Sequence, residues 1–258
     1  MKDGVPERLV DDAVALSPSN QLIFVHGGGE VVTDFATRLG KEQRFIVSPE
    51  GIRSRYTDRE TADIYQMVMS GLLAKNLVRA LGKAGLRGIS LSGTDGSLLQ
   101  GRRKKKLVIV DDRGRKVAID GGYTGKVQEV NSSLLDLLLS QGYVPVVSPV
   151  ASSEEGEPLN VDGDRAASSI AVGAGADALL FATNVDGLEL DGNLAAHLTP
   201  AEASSRLPEI GFGMQKKVMA AIEAVEGGVK EAVICSGTRG SPVSKALAHD
   251  GCTVISSR

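Results

Sequence analysis

The chain reads as an α/β protein with a mainly parallel sheet covered by helices. Three observations predict this. Strand-like and helix-like segments alternate along most of the length, and glycine-rich turns sit where a strand hands over to a helix. The 31 glycines, 3% aromatic content and absence of tryptophan suit many tight turns rather than a base-stacking surface.

Gln21 to Val25 reads as a buried strand running into Gly27-Gly28-Gly29, after which Val31, Val32, Phe35 and Leu39 recur at helical spacing. Thr57-Asp58-Arg59-Glu60 has capping-box form and opens a long amphipathic helix through Ile64, Met67, Val68, Leu72 and Leu81, ended by Gly82 and Gly85. Leu86 to Leu91 is a strand. Leu107 to Val110 and Lys116 to Ile119 flank the turn-forming Asp111-Asp112-Arg113-Gly114 and predict a hairpin. Asn131 to Gln141 is a leucine-rich helix stopped by Gly142, and Val144 to Val150 returns as a strand containing Pro145 and Pro149. Arg165 to Val172 and Met214 to Glu226 read as helices, and Ala178 to Thr183, Ala232 to Cys235 and Thr253 to Ile255 as strands. The sequence shows no internal repeat, and Ser152 to Pro158 is the expected hinge between halves.

The 258 residues, 42% hydrophobic, suffice for one sizeable domain or two intimate lobes. A formal charge of −3 gives no global attraction to nucleic acid or membrane. Cys235 and Cys252 are too few for a disulfide framework and lack Cys-x-x-Cys spacing, which argues against zinc and for a reducing cytoplasm. No apolar run reaches the roughly 18 residues of a membrane span, and no signal peptide opens the chain.

Three glycines between strand and helix leave backbone N–H groups unobstructed at the positive end of a helix dipole, where an anion can settle. A turn of this kind also serves plain close packing. It is not a P-loop, since Gly-x-x-x-x-Gly-Lys-Ser/Thr is missing, and Gly173-Ala174-Gly175 lacks the third glycine of a dinucleotide fingerprint. Asn160-Val161-Asp162-Gly163-Asp164 sets an amide and two carboxylates around a helix start, and nothing in the motif alone decides between cap and catalyst. Gly213-Met214-Gln215-Lys216-Lys217 places cations at a helix N-terminus, where the dipole disfavours them and an anionic partner is needed; two solvated lysines are the plain alternative.

In this order and spacing, the His26-Gly27-Gly28-Gly29 turn, Asn160 to Asp164, Thr183-Asn184-Val185-Asp186-Gly187-Leu188 and Gly213-Met214-x-x-Lys217 resemble the amino acid kinase family, and within it the acetylglutamate-kinase branch. Ser54 to Asp58, Leu91 to Gly96 and Gly122 to Asn131 are similar to the kinases of carrier-linked lysine and arginine synthesis. The resemblance covers nearly the whole chain. It implies a three-layer αβα sandwich of the carbamate kinase-like kind, with residues 1–150 as a substrate and dimerisation lobe and 151–258 as an ATP lobe.

The resemblance further implies transfer of the γ-phosphoryl group of ATP, with Mg²⁺, to a side-chain carboxylate. Carried over residue by residue, Gly28 and Gly29 hold the substrate backbone and migrating phosphoryl group. Arg55 grips a substrate carboxylate, with Arg53 as rival, and Asn160 hydrogen-bonds the substrate. Asp164 orients the catalytic lysines, and Lys217 neutralises charge on the phosphoryl group. Thr183, Asn184, Asp186, Gly187 and Gly213 fall on the nucleotide side, and no dedicated metal ligands are assigned. Such chemistry needs in-line positioning and cationic stabilisation rather than a covalent nucleophile. His26 is then expected to pack or hydrogen-bond beneath the glycine turn, and His197 to lie at the surface.

Arg102, Arg103, Lys104, Lys105 and Lys106 precede the predicted hairpin, with Arg113, Arg115 and Lys116 across its turn. Such a run is commonly a solvated face, and RNA binding lacks aromatic interleaving. The resemblance implies a small acidic amino-group carrier protein as the partner, and a homodimer. An ordinary N-acetylglutamate kinase and an inactive pseudokinase are the alternatives. Family members begin with an apolar strand ending in Lys-x-Gly-Gly. Met1-Lys2-Asp3-Gly4 looks like the loop and helix that come after that strand, and Lys2 lacks its context, so the expectation is a start placed too far downstream or a catalytically weakened protein.

Overall fold

The computed structural model describes residues 4–257, so Met1-Lys2-Asp3 and Arg258 lie outside the described residues. In chain order the first half contains α1 (Glu7–Leu16), β1 (Phe24–Val25), α2 (Gly29–Arg38), β2 (Phe45–Val47), β3 (Arg53–Arg55), α3 (Arg59–Gln66), a π-helical segment (Met67–Leu73), α4 (Ala74–Lys83), β4 (Gly88–Ser92), β5 (Leu99–Arg103), β6 (Lys106–Val110), β7 (Lys116–Asp120), β8 (Gly125–Val130) and α5 (Ser132–Ser140). The second half contains β9 (Val144–Ser148), β10 (Val150–Ser152), β11 (Pro158–Asn160), α6 (Gly163–Gly173), β12 (Ala178–Thr183), β13 (Glu189–Leu190), β14 (Asn193–Leu194), β15 (His197–Leu198), α7 (Pro200–Arg206), α8 (Phe212–Glu226), β16 (Glu231–Ser236), α9 (Pro242–Leu247) and β17 (Thr253–Ser256). No helix among the described residues is long and apolar enough to cross a membrane.

Two sheets, one parallel and one mixed, form the middle layer. In the first, β9 lies between β1 and β4 and runs parallel to both. The second has the order β12-β16-β17-β15, parallel at β12–β16 and antiparallel at β16–β17. Pro145 sits in the middle strand β9, yet breaks no ladder. Val144 donates to Arg87 on the β4 side and Val147 accepts from His26 on the β1 side, so residue 145 faces β1 before that strand has begun to pair at Val146. Of the expected strand Gln21 to Val25, only Phe24 and Val25 pair; Leu22 and Ile23 instead border a cleft that opens between β1 and β12.

A third sheet, β11-β10-β5-β8, has antiparallel pairs at β10–β11 and β5–β8, and β2–β3, β6–β7 and β13–β14 are separate two-stranded hairpins. The expected hinge from Ser152 to Pro158 is a tight hairpin: Ser152 pairs with Pro158, and the Ser153 hydroxyl accepts from the Glu155 and Glu157 amides at 3.2 and 3.1 Å. Its Ser, Glu and Gly content suits a turn as well as a linker. Because β10 pairs with β5, the strands of the first half extend to Asn160.

The long helix expected from Thr57 to Leu81 is continuous from Arg59 to Lys83, interrupted by the π turn. Its cap is Asp58, which accepts from the Thr61 amide at 2.8 Å, while Thr57 is fully buried; the cap therefore lies one residue beyond the expected one. Core clusters lie on both sides of the sheets. Val32, Ala36, Tyr65, Met69 and Leu73 pack beneath the glycine turn, and the α8 residues Val218, Ala221 and Val225 pack on Ile234 and Ile255.

Candidate active site

The glycine turn is shaped by the helix beneath it. A Cβ on Gly28 would lie 2.0 Å from Leu73 Cδ1 and 3.3 Å from Met69 Sδ, so no larger residue fits unless the Leu73 side chain moves. Gly28 caps α2 without a side-chain acceptor, which leaves first-turn N–H groups for a ligand at the positive end of the helix. His26 is buried below, its Nδ1 facing the Gly27 carbonyl at 3.3 Å and its Nε2 facing Ser148 Oγ at 3.1 Å. Burial holds its pKa below the ordinary imidazole value.

The two carboxylates at the start of α6 have separate duties. Asp162 caps the helix, accepting from the Asp164 and Arg165 amides at 3.1 and 3.2 Å, and stands 3.5 Å from Lys216. Asp164 is thereby free to receive Lys217 at 2.7 Å. Of the two carboxylates, Asp162 is therefore the cap and Asp164 the partner of Lys217. Burial raises the Asp164 carboxyl above the usual carboxylate range, although the adjacent Lys217 ammonium opposes the shift. Gly211 at the start of α8 also offers no side-chain cap, and Lys216 and Lys217 in the following turn are engaged by Asp162 and Asp164.

Two clefts meet at this point. One of about 760 Å³ is lined by Gly27, Gly28, Gly29, Asp164, Lys217 and Asn184. The other, of about 500 Å³, is lined by Arg53, Arg55, Tyr65, Lys104, Asn160 and Lys216, and roofed by the β2–β3 and β6–β7 hairpins. Both share Gly29 and Gly163, two residues without side chains at two helix starts. A group could pass between the clefts there with backbone amides beside it.

Arg55 is held in place rather than left free. Its guanidinium donates to the Gly29 carbonyl at 2.7 Å, to Thr33 Oγ1 at 2.9 Å and to Gln43. Arg53 stacks on Phe45, 3.9 Å from the ring centre, and its carbonyl accepts from Lys216 at 3.3 Å. Asn160 donates to Thr57 Oγ1 at 2.9 Å, joining the 500 Å³ cleft to the start of the long helix. On the other side, Thr183 Oγ1 donates to Asn184, Asp186 pairs with Arg239 at 2.5 Å, and Gly213 lies in the first turn of α8 with open space around it. Gly187 is required by packing, because a Cβ would fall 2.5 Å from Thr253 Oγ1.

The basic run does not act as one surface. Arg103 is engaged internally with Glu157 at 3.2 Å, the Gly122 carbonyl at 2.5 Å and the Tyr123 ring. Lys104 lines the 500 Å³ cleft but is itself exposed, as are Arg102, Lys105 and Lys106. Sequence reasoning passed over Asp162, Lys216 and Thr124 as site residues. The first two lay inside quoted motifs, and Thr124 reaches the cleft through strand pairing that leaves no local sequence signal.

The sequence signature described as the Amino acid kinase family matches residues 2–236. The chain belongs to the amino acid kinase family. A Nitrosopumilus maritimus relative is 51% identical over 98% of this kinase and 95% of its own length, and is provisionally named LysW-aminoadipate/LysW-glutamate kinase. A Saccharolobus islandicus protein given that name without qualification is 43% identical, over 95% of this kinase and 94% of its own length. A solved Streptococcus mutans protein shares the fold, with a TM-score of 0.79 at 22% identity and coverage of 99% of this kinase and 94% of that chain.

Proposed function

We propose that the kinase transfers the γ-phosphoryl group of ATP to the side-chain carboxylate of glutamate or 2-aminoadipate while the amino group of that acceptor is held by a small acidic LysW-type carrier protein, in lysine or arginine biosynthesis. The observation that carries the reading is the meeting of two clefts at Gly29 and Gly163, with the Lys217–Asp164 pair on one side and Arg55 and Asn160 on the other. The relatives' names supply the acceptor and carrier.

In this reading the nucleotide enters the 760 Å³ cleft with its terminal phosphate toward the α2 and α8 N-termini. Arg55 and Asn160 align the acceptor so that its carboxylate meets the phosphorus in line at Gly29. Lys217, steered by Asp164, balances charge growing on the phosphoryl oxygens. No acid or base is needed, because the attacking carboxylate is already ionised. The described residues hold no cluster of three acidic, His or Cys ligands. Mg²⁺ would be held chiefly by the nucleotide phosphates and would supply further neutralisation of phosphate charge. Residues up to Asn160 form the acceptor lobe, the remainder forms the ATP lobe, and the protein works as a homodimer in the cytoplasm.

The exposed cations Arg102, Lys105 and Lys106 steer the acidic carrier. Replacing the three with alanine is expected to raise the KM for carrier-linked glutamate and flatten its salt dependence. An unchanged KM together with efficient use of free N-acetylglutamate would assign the enzyme to the small substrate instead.

A further inference from the structure

Tyr65 stands in the wall of the acceptor cleft with Arg55, Asn160 and Asp162. It lies on α3 and is only 7% exposed. Its ring belongs to the core beneath the glycine turn, clustered with Val32 and Ala36 of α2 and with Val68 and Leu73 of the π segment. Close packing of this kind holds an aromatic ring in one rotamer and so fixes where its hydroxyl points. A buried tyrosine hydroxyl normally finds a hydrogen-bond partner. No described residue bonds this one, and the exposure that Tyr65 keeps opens on the cleft.

The charges that act on the hydroxyl are the Asp162 carboxylate and the Arg55 guanidinium. Neither is bonded to it. Asp162 accepts from the Asp164 and Arg165 amides, and Arg55 is directed to the Gly29 carbonyl, Thr33 and Gln43. Burial, reinforced by Asp162, raises the phenol above the ordinary tyrosine pKa, so the hydroxyl keeps its proton and remains a donor. Arg53 and Arg55 both lack a carboxylate partner among the described residues, and of the two only Arg55 acts on Tyr65. A half-buried cation beside an unused neutral donor suits one carboxylate, whose oxygens can accept from both.

We infer that Tyr65 is a substrate-contact residue whose hydroxyl donates to the main-chain carboxylate of the acceptor amino acid, the group that Arg55 holds. The inference rests on the proposed function and adds a recognition residue to it. An N-acylated acidic amino acid brings two carboxylates, one reacting at the cleft junction and one on its main chain. The junction residues Gly29 and Gly163 line both clefts, whereas Tyr65 lines the acceptor cleft and not the nucleotide cleft. The carboxylate it meets is therefore the one that does not react. Held by the arginine alone, that group could pivot; a second donor on a packed ring fixes its direction, and with it the point that the acceptor side chain reaches.

The test uses Tyr65→Phe, which keeps the ring and its packing and removes only the hydroxyl. The acceptors are carrier-linked glutamate and N-acetylglutamate, each with its main-chain carboxyl free or converted to the amide. With the free carboxylate, Tyr65→Phe should raise the acceptor KM on the order of tenfold while kcat and the KM for ATP stay within about threefold of wild type. With the amide, whose charge is gone, the substitution should cost no more than about threefold, and isothermal titration calorimetry gives the same ratio where turnover is too slow to read. The melting temperature should stay within about 2 °C of wild type or rise, because no hydrogen bond inside the protein is lost. An acceptor KM within about twofold of wild type, a fall in kcat at unchanged KM, or an equal rise on free and amidated acceptors would overturn the contact and leave the proposed function standing. Both acceptors keep the carboxylate in question, so failure of the carrier-linked one alone removes the proposed carrier and leaves Tyr65 to be tested on the other. Phosphorylation of neither by the wild type would sink both.

Discussion

Replacing Asp164 by asparagine separates catalysis from stability at this site. The substitution keeps the size and one acceptor oxygen but removes the charge that receives Lys217 at 2.7 Å. Both side chains are about a quarter exposed, at 23% and 24%, so the pair is neither fully screened nor fully buried. Burial outweighs the attraction of Lys217 and raises the Asp164 carboxyl above the usual range. A carboxyl with a raised folded-state pKa contributes stability below its unfolded value and loses it as pH rises through the folded one, so at neutral pH the ionised group burdens the fold. Asp164→Asn should therefore leave the melting temperature unchanged within about 2 °C or raise it slightly.

Activity should move the other way. A lysine displaced by about 1 Å from the phosphoryl oxygens costs on the order of 10² in rate, and removing its charge, as in Lys217→Met, on the order of 10² to 10³. Because Asp164 acts through Lys217, the double variant should be no slower than Lys217→Met alone. Steady-state ADP release coupled to NADH oxidation measures kcat for the set, and differential scanning calorimetry measures stability. The wild-type pH profile should also show an acid limb, lying above the usual carboxylate range, that Asp164→Asn removes. A variant with kcat within threefold of wild type, or single effects that multiply in the double variant, would refute the assignment of Asp164 to positioning Lys217.

Three other outcomes rest on the same geometry. Gly28→Ala drives a methyl into Leu73 and should destabilise the protein by about 1–3 kcal/mol, with Leu73→Ala in the same chain recovering part of the loss; urea denaturation reads both. His26 has a depressed pKa, so the stability it contributes above pH 6.5 is lost as pH falls below that value through the depressed one, and His26→Gln should flatten that fall in melting temperature. Arg55→Lys cannot hold the Gly29 carbonyl, Thr33 and Gln43 together. It should raise the acceptor KM roughly tenfold, with the KM for ATP within twofold of wild type.

Much of the fold was legible because its signals are local. Alternating apolar segments, the Gly27-Gly28-Gly29 turn and the Asp111 to Gly114 link each announce an element through spacing within a few residues. The π segment was not legible, since Met67 to Leu73 carries the same apolar spacing as the α-helix on either side and differs only in how it packs under Gly28. The Ser152 to Pro158 turn was misread because turn formers and linker formers are the same residues. At the site, Asp164 and Lys217 stand 53 residues apart, and their order in the chain hinted at a pair that only the fold brings together. The split of the basic run was invisible in the sequence. Whether a lysine faces solvent, a cleft or a glutamate depends on the β5–β8 register, which places Arg103 opposite Gly125 and sets Lys104 against Thr124.

The central claim is phosphoryl transfer to a carboxylate at the junction of the two clefts. The most direct measurement incubates the enzyme with ATP, Mg²⁺ and carrier-linked glutamate or 2-aminoadipate in the presence of hydroxylamine, which converts an acyl phosphate to a stable hydroxamate that mass spectrometry locates on the side chain. The account predicts one hydroxamate per ADP formed, on the side-chain carboxyl of the carried amino acid, and its loss in Lys217→Met. ADP formation without hydroxamate, or no ADP with any carrier-linked acceptor, would contradict it.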